Sequence, residues 1–69
     1  MRSFDVIVEQ DPATRFYVGH VPGWPGAHSQ GLSLDELQDN LREVIQMLLE
    51  DGDPQMDSEF IGVQRIRVA

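Results

Sequence analysis

The sequence predicts a single α+β domain, residues 1–69, in the order β-β-β-α-β. Two short alternating segments precede a loop dense in proline and glycine. One strongly amphipathic stretch follows at helical spacing. A last alternating segment closes the chain. We expect a three-stranded antiparallel meander, one helix packed on one sheet face, and a C-terminal strand parallel to the first.

The first strand spans residues 3–10. Phe4, Val6 and Val8 alternate with Asp5, Ile7 and Glu9. Asp11-Pro12-Ala13-Thr14 is turn chemistry, since the aspartate can bond backbone two residues on. Residues 15–21, aromatic and β-branched, form the second strand of an antiparallel hairpin. Pro22-Gly23-Trp24-Pro25-Gly26 cannot lie inside a helix or a central strand. A short third strand is expected over 27–30.

The helix carries the strongest local signal. Ser33 as N-cap and Glu36 three residues later make a capping box. Leu34, Leu37, Leu41, Val44, Ile45, Leu48 and Leu49 then fall on one stripe. Gly52 and Pro54 end it, so the helix is expected over 34–51. Residues 60–68 alternate again. Beside the first strand they give the sheet order 3-2-1-4. One helix covers one face, which leaves Ile7, Val63 and Tyr17 on the other and favours self-association.

Composition bounds the function. The 69 residues carry 12 acids, five arginines and no lysine, for a net charge of -7. No basic cluster exists to neutralise phosphates, which argues against nucleic acid as a direct ligand. The same excess argues against an anionic membrane surface, and no apolar run approaches a span of roughly 20 residues. The N-terminal run has an acid inside its apolar stretch and is no signal peptide, so a cytoplasmic location is expected. There is no cysteine, so neither disulfides nor thiolate metal sites can reinforce a core this small. Association with other chains is the remaining aid.

Few residues point to catalysis. Asp5 with a helix acid such as Glu43 is a conceivable metal-dependent nuclease pair. Such sites need several converging carboxylates, and an exposed Asp5 is the simpler expectation. His20 and His28 have no serine or cysteine at a motif spacing. The glycines match no phosphate-loop spacing. No catalytic residue, metal ligand or cofactor is therefore assigned.

Binding residues are better supported. Trp24, in a rigid loop, is either folded back over the sheet edge or an exposed contact anchor. Asp35, Glu36, Asp39, Glu43 and Glu50 form an acidic stripe opposite the leucines, with Arg42 the only base among them. Asp35 with Asp39, and Asp39 with Glu43, are like charges at i,i+4, each pair costing a few tenths of a kcal/mol. Glu50 and Asp51 lie at the unfavourable end of the helix dipole. Such a stripe suits docking of a basic protein.

The run from Tyr17 to Ser33 resembles the signature of HicB-like antitoxins. In these an aromatic strand enters a P-x-x-P-G loop, followed by a small residue, a polar residue, [ST]-x-G and a capping serine or threonine. The helix pattern L-x-E-A-x-x-N-x-x-E-A-I is matched by residues 34–45, with Leu37 and Val44 in place of the two alanines. The resemblance covers almost the whole chain. It implies a truncated ribonuclease-H-like fold without the catalytic carboxylates. The function it implies is neutralisation of a small basic HicA-type RNA-cleaving toxin. Many such proteins add a C-terminal DNA-binding segment, which is not expected here. Trp24, His28, Glu36, Asp39 and Glu43 are the expected partner-binding residues. A homo-oligomeric module of another role, or a nuclease using Asp5 and helix acids, are the alternatives.

Overall fold

The computed structural model describes residues 2–69. Its elements are β1 (Ile7–Gln10), β2 (Tyr17–His20), β3 (His28–Gly31) and α1 (Leu34–Leu49). The strands form one antiparallel sheet in the order β1-β2-β3. Ile7 pairs with His20 and Gln10 with Tyr17; Tyr17 pairs with Gly31 and His20 with His28. The meander and the single helix are as the sequence leads one to expect.

The β1–β2 turn is built by Asp11. Its carboxylate accepts from the Thr14 hydroxyl at 2.8 Å and the Ala13 N–H at 3.2 Å. The backbone closes with Asp11 N–H to Phe16 C=O at 2.9 Å. Arg15 takes a left-handed φ of 66° there, which removes it from the second strand expected over 15–21.

β1 is shorter than the 3–10 expected. In this register Ile7 and Glu9 face β2 with their backbone groups. The next bonded pair would join residue 5 to Pro22, which has no N–H to donate. The ladder therefore begins at Ile7. The loop instead makes its own bonds, Val21 N–H to Ala27 C=O at 2.9 Å and Ala27 N–H to Trp24 C=O at 3.1 Å.

α1 lies on one sheet face. Ser33 accepts from the Glu36 N–H at 3.1 Å, as an N-cap should. The Glu36 carboxylate reaches back one residue further than the usual box, to the Leu32 N–H at 3.2 Å. At the other end, the Glu50, Asp51 and Gly52 N–H groups bond to carbonyls three residues back. This tightening ends α1 at Leu49, two residues before the expected limit.

The core joins the sheet to the helix through the loop. Val21, Trp24, Ala27, Leu37 and Leu41 are buried. Phe4, Val6, Ile45, Leu48 and Leu49 pack around the Val21–Trp24–Ala27 cluster. Gly19 faces this core, and a Cβ there would stand 3.1 Å from both Leu41 and Val6 side chains. Tyr17 shares the face of Gly19 by strand alternation, which corrects its expected place on the opposite side.

The C-terminal segment departs from expectation. Residues 60–69 form no strand, and the parallel pairing with β1 is absent. Ile61, Val63, Ile66 and Val68 are 79–87% exposed. Alternation specifies a segment able to be a strand; an edge must still pair with it, and this chain's own β1 edge does not.

Candidate protein-binding surfaces

The expected binding residues fall on three different parts of the structure. Asp35, Glu36, Asp39 and Glu43 are exposed on the outer face of α1, and Glu50 is exposed at its C-cap. His28 stands on the open sheet face, away from the helix. Trp24 lies between, in the core. One flat interface cannot include all of them.

Trp24 corrects the exposed-anchor expectation. Only 9% of it is accessible. Its ring meets Phe4 at a centroid distance of 5.2 Å and a 41° tilt, a tilted aromatic contact of the favourable kind. Two turns fold the loop back on itself. Gly23 and Gly26 supply the left-handed conformations, with φ of 80° and 89°. The Gly23 carbonyl accepts from the Asp57 N–H at 2.7 Å, so the chain beyond the helix clamps this loop. Trp24 therefore serves the fold, with little surface left for a partner.

The helix acids differ in how far they are already engaged. Glu36 is held by the Leu32 N–H in the cap. Asp39 pairs with Arg42 at 3.1 Å, with both side chains mostly in solvent, a geometry worth little to stability. Glu43 has no hydrogen bond or ion pair among the described residues. Asp35 and Glu50 complete the strip. The face thus presents five carboxylates and a single guanidinium, in reach of water and any cationic partner.

The open sheet face holds a pair that sequence reading did not join. His20 and His28 are direct cross-strand partners. The Val21–Ala27 backbone bond marks the neighbouring pair as hydrogen-bonded. His20 and His28 therefore occupy a non-bonded pair, with Cα atoms about 4.5 Å apart and side chains close. The signal was present: both lie four residues from Trp24, the centre of the loop. Ile7 continues this row across β1, and Glu9, Val18 and Gln30 form the next. Two imidazoles alone do not make a metal site. Among the described residues no three histidine or carboxylate side chains converge. Asp5 is exposed on the open side, across the sheet from α1, so the structure does not unite it with the helix acids.

These features define a small α+β domain with a charged helix on one side and a bare, mixed sheet face on the other. Three relatives share most of the length of this chain. A Thermotoga maritima UPF0150 protein is 41% identical over 66 residues, spanning 94% of this chain and 88% of the relative. A Synechocystis UPF0150 protein is 42% identical over 67 residues, 97% of this chain and 96% of the relative. One from Archaeoglobus fulgidus is 43% identical over 65 residues, 94% of this chain and 93% of the relative. The chain belongs to the UPF0150 family. No family model matches it, and no solved structure does so significantly. Among the described residues no helix is long and apolar enough to cross a membrane.

Proposed function

We propose that this chain is a non-catalytic binding protein of the antitoxin type, acting in the cytoplasm as a homo-oligomer. Its partner is a small basic RNA-cleaving protein of the HicA type. The observation that carries this reading is the exposed carboxylate strip on α1, kept at some cost to the helix. A protein that cleaves RNA needs cationic groups for the phosphates. A carboxylate strip at helical spacing competes for the same groups and covers them. Attraction of this kind chiefly raises the rate of encounter and selects the partner. The HicB-like order of loop, cap and helix supports the same reading.

Asp39 and Glu43 are the central binding residues, with Asp35 and Glu50 extending the strip. Glu36 contributes while also holding the cap. His28 lies on the far face and belongs to a different contact.

The test is inhibition. The basic product of the neighbouring reading frame is assayed for RNA cleavage with increasing amounts of this chain. Stoichiometric loss of cleavage, weakening as salt is raised, is the expected result. Undiminished cleavage at saturating chain removes the antitoxin role.

A further inference from the structure

We propose that residues 60–68 form an intermolecular β-strand, seated on the free β1 edge of a second copy of this chain. This deepens the self-association in the proposed function and is independent of toxin binding.

Four observations lead there. The first is surface. The chain exposes 5850 Å², whereas a compact monomer of 7.8 kDa exposes roughly 4,400 Å². Its radius of gyration is 13.6 Å, against about 11 Å for a compact chain of 69 residues. The excess, about 1,450 Å² per chain, is more than the roughly 800 Å² that each partner contributes to a standard interface.

The second is pattern. Ile61 and Val63 alternate on one side of the segment, and Ile66 and Val68 on the other. All four are almost fully exposed. Nine extended residues span about 30 Å, enough to follow β1 and the extended chain before it.

The third is which edge is vacant. On β3 two of the four outward backbone groups of His28 and Gln30 are already used. The Gln30 carbonyl accepts from Asn40 Nδ2 at 2.8 Å, and the His28 N–H donates to the Gly26 carbonyl at 3.0 Å. On β1 the register turns the backbone groups of Val8 and Gln10 outward. They have no partner among the described residues. A bare edge of this kind pairs readily with another chain.

The fourth is charge. All 12 acids and three of the five arginines precede residue 60, and the last two, Arg65 and Arg67, lie within the segment. The β1 edge is flanked by Asp5, Glu9 and Asp11. A cationic strand thus meets an acidic edge, which favours pairing between copies over aggregation of like bodies.

The test is oligomeric state, which reads this pairing and not partner binding. Sedimentation equilibrium of the full chain is expected to give twice 7.8 kDa or a multiple of that dimer. A V63P/Q64P variant removes the N–H at two successive positions, so a ladder donor is lost whichever edge is paired, and both positions are exposed. It should sediment at 7.8 kDa with unchanged helical circular dichroism. Amide exchange at residues 61–68 should slow as concentration rises. A wild-type monomer at about 200 μM overturns the proposal. So does a proline variant of wild-type mass, or concentration-independent protection in a monomer, which would mean pairing within one chain.

Discussion

Gly31 passes directly beneath the first turn of α1, so closely that a Cβ there would lie 2.6 Å from the Leu37 backbone nitrogen. The atoms in the way are backbone, and they cannot swing aside as a side chain would. Gly31→Ala must push β3 and α1 apart. The expected cost is about 1–3 kcal/mol, as for other overpacked cores. Chemical denaturation measures it; a variant as stable as the parent would show that the contact is looser than described.

Leu37, 2% exposed, is the side chain that this approach seats against the sheet. Leu37→Ala should cost about 2–5 kcal/mol. In a domain with so few fully buried side chains that is a large share of the total, so the melting transition should broaden or vanish near room temperature. Leu34→Ala provides the contrast. Leu34 lies on the same stripe but is 56% exposed, and its loss should be mild.

Asp11 predicts a pH effect. The Thr14 hydroxyl, and next the Ala13 N–H, hold its carboxyl below the ordinary value of 3.8, against a small opposing effect of burial. The folded pKa is depressed, so the ionised turn adds stability above the unfolded pKa. That contribution is lost as pH falls through the folded pKa. Thr14→Val should raise the Asp11 pKa, measured by NMR titration of its carboxyl carbon. It should also flatten the dependence of stability on pH below about 4. An unchanged titration would assign the shift to something other than the hydroxyl.

Glu43 separates stability from function. Glu43→Lys turns a repulsive i,i+4 spacing with Asp39 into an attractive one, worth about 0.3–0.5 kcal/mol. The variant should melt slightly higher and yet bind the basic partner more weakly. Weaker binding together with lower stability would point to damaged folding.

Much of the fold was legible because local chemistry and tertiary structure agree. Ser33 and Glu36 cap the helix where their spacing places the cap. Asp11 and Thr14 close the turn where a turn was expected. The failures have a common cause, since each depended on a partner group that local pattern does not reveal. Pro22 lacks the N–H that would have extended β1, an effect visible only once the register is known. Trp24 sits in a loop whose composition signals exposure, but two left-handed glycines and the Asp57 tether turn it inward. Residues 60–68 have the alternation of a strand, and alternation cannot say which edge, or whose, receives it. The His20–His28 pair emerged from hairpin symmetry and not from either histidine alone.

The carboxylate strip on α1 is tested most directly by calorimetric titration of the basic partner with the parent chain and with D39A/E43A/E50A. Glu36 is kept so that the cap survives. Each exposed charge contributes up to about 0.5–1 kcal/mol, so the triple variant should bind roughly tenfold or more weakly. Its affinity should also depend less on salt. An affinity and salt dependence equal to those of the parent would contradict binding through this face.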